Sequence, residues 1–297
     1  MQHFPVLLEE SIDFLVHDKN GVFIDTTFGR GGHSRRILEQ ITSKGSLTAF
    51  DKDPDAISFA NKIKNNNFNI YHDSFMNLEK YFTKKSVDGI LYDLGVCSSH
   101  FDDETRGFSF QADGPLDMRF DNTKGTPLSS WLNEASKEEI AEVLFKYGNE
   151  SHAKIISNSI ENARLKKEIN STIELSKIIE KIYPEKRKKI HPATKSFQAF
   201  RIFINDEINE IHKSLSAAKK IIKKNGIIVT IAFHSLEDSL IKNFFKPKTI
   251  SLPKDIPINN EFYSSFQCIA KKIKPSKEEI KINNRSRSAI MRVYQKI

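Results

Sequence analysis

The sequence predicts an α/β fold, a largely parallel sheet covered by helices on both faces and interrupted by an all-helical insertion. Three observations predict it. From Val22 to Asp93 short apolar runs alternate with helical patterns, the signature of strands joined by crossover helices. From about Asn122 to Ile190 only the helical period is present, with no strand pattern. After Thr194 a long amphipathic stretch leads into another strand, Ile227 to Phe233, so the sheet resumes.

In chain order, the strand Val22-Phe23-Ile24 runs into Asp25-Thr26-Thr27-Phe28-Gly29-Arg30-Gly31-Gly32-His33, a glycine-rich turn, and a helix opens at Ser34. A second strand, Ser46 to Phe50, delivers Asp51. Pro54 to Lys64 reads as a helix, and Phe68 to Tyr71 as a strand ending in His72-Asp73-Ser74-Phe75. A helix from Leu78 to Phe82 precedes the strand Val87 to Tyr92, which ends at Asp93. Parallel sheets bind ligands beyond the carboxyl ends of their strands, which is where Gly29 to His33, Asp51, Phe75 and Asp93 all fall.

The insertion carries a capping box, Ser136-Lys137-Glu138-Glu139, ahead of Ile140, Val143 and Leu144, and a second helical pattern from Ser171 to Ile182. From Thr194 one helix is expected, because Phe197, Phe200, Ile204, Ile208, Ile211 and Leu215 form a single apolar stripe beside a polar one of Gln198, Arg201 and Asn205. Gln267 to Ile273 and Ser288 to Tyr294 read as a closing antiparallel pair. The expected organisation is a discontinuous domain, 1–121 with 191–297, and an inserted helical domain, 122–190.

The glycine turn with an acid about 20 residues downstream suits a nucleoside cofactor: glycines let the backbone approach the ligand, and the carboxylate of Asp51 chelates ribose hydroxyls. A dinucleotide fingerprint beginning at Gly29 needs a third glycine where Ser34 stands, so the pyrophosphate cradle is incomplete. S-adenosylmethionine, with ribose and adenine but no phosphate, fits better. A plain tight turn between strand and helix is the bland alternative.

Hydrophobic content of 38% and charged content of 28% describe a soluble globular chain, and no apolar run approaches the roughly 20 residues that span a bilayer. The start, Met1-Gln2-His3-Phe4-Pro5, has no basic segment before an apolar core and predicts no secretory signal, hence a cytoplasmic location and no membrane partner. Two distant cysteines, Cys97 and Cys268, imply neither a disulfide framework nor a metal cluster, and no metal ligands are assigned. A net charge of +8 permits a polyanionic partner, although the abundance of Lys, Asn and Ile is also what coding bias produces.

These motifs together resemble the bacterial small-subunit ribosomal RNA cytosine-N4 methyltransferases of the MraW/RsmH family. The matching stretches are His3 to Glu10, Asp25 to Ser34, Asp51-Lys52-Asp53-Pro54, Asp93-Leu94-Gly95-Val96, Arg106 to Phe110 and Asp113 to Arg119. They continue through His191-Pro192-Ala193-Thr194, Phe197-Gln198-Ala199, Phe233 to Asp238 and Arg285-Ser286-Arg287-Ser288. The resemblance covers essentially the whole chain. It implies a Rossmann-like S-adenosylmethionine methyltransferase sheet with a helical insertion that recognises substrate, and a decoding-region cytosine of 16S ribosomal RNA as acceptor. The small ribosomal subunit is the partner it implies, and a homodimer is among the assemblies left open.

The resemblance places cofactor contacts at Gly31, Gly32, His33, Asp51, Phe75, Asp93 and His100. Phe75 offers a ring face to adenine. Asp73 is either an acceptor for the adenine amine or a solvated turn aspartate. The family often carries Pro-Gln where this chain has Ser99-His100, and Cys97 stands at a common serine position, as a small buried neighbour and not a nucleophile.

Cytosine N4 is a poor nucleophile because its lone pair is delocalised into the ring, so an acceptor must hold its N–H and the base must lie in line with the methyl. Asp93 is the catalytic candidate for that acceptor. Aromatic walls would come from Phe108, Phe110 or Phe120, although at 22 phenylalanines in the chain each is a core candidate before it is a base platform. Asp117, Arg119, His234, Arg285 and Arg287 are substrate-binding candidates, with a loop-closing salt bridge as the competing role for Asp117 and Arg119. Ser235 with Asp238 reads as a capping box. Lys186-Arg187-Lys188-Lys189 either grips phosphates or is a solvated run. The competing readings are a methyltransferase on another amine, and an RNA-binding ribosome assembly factor without turnover.

Overall fold

A computed structural model of the chain describes residues 4–183, 191–246 and 265–297. The run Lys186 to Lys189 and His3 therefore lie outside the described residues. Two compact units emerge: Met1–Gly95 with Ile208–Ile297, and Val96–Glu207. The second is wider on both sides than the 122–190 segment expected from sequence, because the loops carrying Arg106 to Arg119 and the helix after Thr194 pack into the helical unit's own core.

In the first unit α1 (Leu8–Leu15) precedes β1 (Val22–Asp25), α2 (Gly32–Gln40), β2 (Ser46–Asp51), α3 (Pro54–Ala60), β3 (Phe68–His72), a 3-10 turn (Phe75–Lys80) and β4 (Val87–Asp93). The helical unit follows with α4 (Ser98–Asp102), α5 (Leu128–Glu134), α6 (Lys137–Gly148), α7 (Ala153–Arg164), α8 (Thr172–Glu180) and α9 (Thr194–Ile204). The chain returns to the sheet through α10 (Glu207–Ile221), β5 (Ile222–Ala232), α11 (Ser235–Phe245), β6 (Phe266–Ile273), α12 (Lys277–Ile282) and β7 (Ile290–Lys296).

The seven strands run in the order β3-β2-β1-β4-β5-β7-β6. β1 to β5 pair in parallel, while β7 inserts antiparallel between β5 and β6. Strand order reverses at β1 and β4, the switch point at which open parallel sheets accept ligands. The sheet is apolar on both faces. Ile24, Phe50, Ile90, Tyr92 and Ile228 pack with Leu215 and Ala218 of α10, and Phe23, Leu47, Leu91 and Val229 pack with Leu15 of α1 and Ile37 of α2. Burial on both sides is why these strands read as continuous apolar runs.

Helix starts follow local chemistry. Asp53 caps α3 by accepting from the Asp55 N–H, with Pro54 at the first helical position. Both capping boxes of the helical unit are formed, Ser136 with Glu139 on α6 and Ser171 with Glu174 on α8.

Several expectations are corrected. The helix expected at Leu78 to Phe82 is a 3-10 turn beginning at Phe75, α3 stops at Ala60, and β5 begins at Ile222 instead of Ile227. The single helix from Thr194 is two. Asp206 turns with φ 51° between α9 and α10, and the stripe divides: Phe197 and Phe200 enter the helical core while Ile211 and Leu215 enter the sheet core. The break has a cause in the polar stripe. Asn205 donates from Nδ2 to the Met118 carbonyl at 2.8 Å and accepts the Phe120 N–H at 2.7 Å, while Arg201 pairs with Glu207 at 2.7 Å.

Candidate active site

The carboxyl ends of β1, β2, β3, β4 and β5 form one rim, since Asp25 is level with Ala49 and Leu91, Asp51 with His72, and Asp93 with Ile231. β7 begins at this rim, Ile290 opposite Ala232, so the short 3-10 segment Asn284–Ser288 before it lies there too.

The glycine turn is built from within. Gly31 is the left-handed cap of α2 at φ 75°, and a Cβ there would meet the Phe28 ring at 2.5 Å. A Cβ on Gly32 would meet Pro5 at 2.2 Å, so the N-terminal arm lies directly on the turn. Asp25 is fully buried beneath it, accepting the Ser34 hydroxyl at 2.6 Å and the Thr27 N–H at 3.1 Å. Burial pushes the Asp25 carboxyl up to about 6, against the opposing pull of the Ser34 and Thr27 hydrogen bonds. Ser34, which broke the dinucleotide fingerprint, is thus the partner of this acid.

Asp51 holds the turn from the neighbouring strand. Its Oδ2 accepts the Gly29 N–H at 2.7 Å and its Oδ1 the Asp53 N–H at 2.9 Å. Asp93 receives the His33 ring, Nδ1 to Oδ2 at 3.5 Å, and donates its own N–H to the Thr27 hydroxyl at 3.1 Å. His33 is buried, with its Nε2 3.1 Å from the Val6 carbonyl. Phe75 opens its 3-10 turn half-buried, edge-on to Tyr92 with centroids 6.1 Å apart. Gly31, Gly32, His33, Asp51, Phe75 and Asp93 therefore share the rim of the sheet unit.

Asp73 is saturated from inside. It accepts Ser74 N–H, Asn77 Nδ2 and the Tyr81 hydroxyl, each at 2.8 Å, and against desolvation these bonds hold its carboxyl below the usual range. The geometry favours its structural role over one at adenine.

The donor set suits S-adenosylmethionine. Three carboxylates, Asp25, Asp51 and Asp93, end adjacent strands and would repel a pyrophosphate, whereas they favour a cationic ligand with a diol.

His100, Asp117 and Arg119 belong to the helical unit. His100 is buried on α4 and stacks on Phe108 with centroids 5.0 Å apart, and Phe108 stacks on Phe120 at 5.5 Å. Phe110 stacks on His191 at 4.3 Å. These rings are first of all the packing of that unit's core and its loop. Asp117 and Arg119 form a two-pronged pair, Nη2 to Oδ2 at 2.6 Å and Nε to Oδ1 at 2.8 Å, and Arg119 Nη1 also donates to the Lys124 and Gly125 carbonyls. Hydrogen bonds to Asp117 raise the Arg119 guanidinium further above its ordinary value. This is the loop-closing arrangement.

His234 caps α11 in an extended conformation, its Nδ1 accepting the Glu237 N–H while Glu237 reaches back to the Phe233 and His234 N–H groups. The capping box is therefore His234 with Glu237, one residue before the expected Ser235 with Asp238. Asp238 is instead committed to Arg292 of β7, at 2.6 and 3.1 Å. Arg285 and Arg287 are exposed on the 3-10 segment at the rim, flanking the buried Ser286.

The family model of the MraW methylase family matches residues 1–297. The chain belongs to that family. Among curated relatives, the ribosomal RNA small subunit methyltransferase H of Buchnera aphidicola subsp. Cinara cedri is 45% identical over 99% of this chain and 99% of its own. The methyltransferases H of Coxiella burnetii (strain Dugway 5J108-111) and Pseudoalteromonas atlantica are 43% and 42% identical, each over 99% of this chain and covered over 99% and 98% of their own lengths. Membership makes S-adenosylmethionine the protein's cofactor. No helix among the described residues is long and apolar enough to cross a membrane.

Sequence reasoning missed Asp25, Pro5, Val6 and Thr27 as supports of the rim, and Asn205 as the clamp on the Met118–Phe120 loop. Asp25 carried a signal, an acid closing an apolar strand beside a serine in the first helical turn. Pro5 and Asn205 carried none, since their contacts cross long stretches of chain.

Proposed function

We propose that the protein transfers a methyl group from S-adenosylmethionine to N4 of a cytosine in the decoding region of 16S ribosomal RNA, with the small ribosomal subunit as partner and the cytoplasm as compartment. One observation supports it most: a nucleoside-type turn braced by Asp51 and a second carboxylate, Asp93, at the switch point of a family-matched sheet. When bound, the cofactor supplies an electrophilic methyl on a sulfonium.

The chain's own residues then have definable tasks. Asp51 receives the ribose diol, and Phe75 lines the adenine side. Gly31 and Gly32 let the turn close, with Phe28 and Pro5 packed where side chains would stand. Asp93 accepts an N–H of the cytosine amine, which localises the lone pair toward the methyl. The proton becomes acidic only as the new C–N bond forms, so Asp93 orients first and takes the proton late. His33 braces the Asp93 carboxylate from Nδ1. His100, Asp117, Arg119, His234, Arg285 and Arg287 are assigned to shaping the cofactor and substrate surfaces. The paired state of Asp117 and Arg119 makes theirs a loop-ordering part.

The test is methyl transfer from labelled cofactor to small-subunit particles lacking the modification, followed by mass spectrometry of the RNA nucleosides. N4-methylated cytidine is expected. Label on protein or on another base would refute the assignment.

A further inference from the structure

Beyond the cofactor rim, the sheet unit gathers positive charge on an exposed aromatic ring. Arg30, the non-glycine in the middle of the turn, places its guanidinium carbon 4.1 Å from the centroid of Phe59 on α3. Lys62, just past the end of α3, brings its ammonium to 4.7 Å from the same centroid. Arg35 on α2 donates to the Arg30 carbonyl at 2.9 Å, which adds a third cation. Phe59 is 38% exposed.

These cations differ from their neighbours. Arg36, one residue on, is tied to Glu9 and Glu39, and Lys52 is tied to Glu210. Among the described residues Arg30, Arg35 and Lys62 form no ion pair with a carboxylate. Long cationic stems shielding an exposed ring would account for one of them. Two like charges on one ring with a third on the adjoining carbonyl raise the local positive potential, and an anion relieves it. A phosphate alone would not need the aromatic ring. An acidic peptide would not either. A nucleic acid strand uses both, its phosphates on the cations and a base continuing the guanidinium–ring stack.

We infer that Arg30, Arg35, Phe59 and Lys62 form a docking site for a single-stranded RNA segment of the substrate, adjoining the target nucleotide because Arg30 is itself part of the rim turn. The inference rests on the proposed RNA substrate and adds where the strand runs. It also couples RNA to cofactor, since a strand held by Arg30 steadies the turn that Asp51 braces from the other side.

The test uses the full chain saturated with cofactor, a short fluorescent single-stranded RNA, and anisotropy over a salt series. Arg30 is left intact because it belongs to the turn. The Arg35→Ala/Lys62→Ala double variant is expected to bind at least roughly tenfold more weakly at low salt. Its slope of log affinity against log salt should be shallower by roughly 1.4, about 0.7 for each lost cation. Phe59→Leu keeps the apolar bulk and is expected to weaken binding at least roughly fivefold with the slope unchanged. Calorimetry should show wild-type cofactor affinity in both, which certifies folding. Unchanged RNA affinity in the double variant or in Phe59→Leu overturns the inference, as does a polyglutamate peptide that competes as well as RNA. If the wild type methylates small-subunit particles while the variants bind RNA normally, only the docking site falls. A wild type that leaves particles unmethylated overturns the functional reading itself.

Discussion

Replacing Asp51 by asparagine separates two tasks that one carboxylate performs. Its two oxygens each satisfy a different backbone N–H, Gly29 at 2.7 Å and Asp53 at 2.9 Å, so an amide can keep only one of them. The other N–H then faces an NH2 group, donor against donor. Hydrogen bonds to a charged acceptor are worth about 1.5–3 kcal/mol, so folding stability should drop by roughly that amount. The ribose diol loses a charge-assisted contact of the same class, so the cofactor dissociation constant should rise roughly tenfold to a hundredfold. A looser turn alone would also weaken binding, and a double-mutant cycle decides between the two causes. Cofactor product and its 2′-deoxy analogue are titrated calorimetrically into wild type and Asp51→Asn. If the carboxylate touches the diol, removing the hydroxyl should cost affinity in the wild type and almost nothing further in the variant. Fully additive losses would refute the diol contact and leave Asp51 as a brace of the turn.

Asp93→Ala, assayed in single turnovers with cofactor saturating, should cut methyl transfer far more than it weakens RNA binding, while Asp93→Asn keeps an acceptor oxygen and should retain intermediate activity; equal death of both variants would instead favour full proton removal before attack. Burial raises the Asp25 carboxyl from its ordinary 3.8 to about 6, so between these values the folded state holds a proton that the unfolded chain releases. Stability from this group is complete below about pH 4 and lost as pH rises through 6, a change of about 3 kcal/mol, and Asp25→Asn should flatten that limb in denaturant titrations run at successive pH values. Asp238→Ala strands the largely buried Arg292, whose partner it holds at 2.6 Å, and should lower unfolding free energy by about 3 kcal/mol, read by urea denaturation. Asn205→Ala leaves the Met118 carbonyl and Phe120 N–H without their partner, and should cost about 2 kcal/mol and expose the Met118–Gly125 loop to limited proteolysis.

By itself the sequence determined the alternation of strands and helices and which residues close the parallel strands. Strands buried on both faces write continuous apolar runs, and in a parallel sheet the residue after each run must lie at the ligand-binding edge. Asp51 and Asp93 were therefore legible as residues of that edge, as was the capping box at Ser136, whose bonds span three residues. Tertiary structure decided what depends on contacts between distant segments. An unbroken apolar stripe from Phe197 to Leu215 is compatible with one helix, and only the side-chain bonds of Asn205 to the loop at Met118 and Phe120 end it there. The choice of His234 over Ser235 as cap came from where β5 stops, at Ala232 with only Phe233 between, and from Arg292 claiming Asp238. Pro5 against Gly32, and Arg30 on Phe59, join residues whose local sequence contains no trace of the partner. Periodicity and capping are short-range and are written locally, whereas which donor meets which acceptor across the fold is set only once the chain has closed on itself.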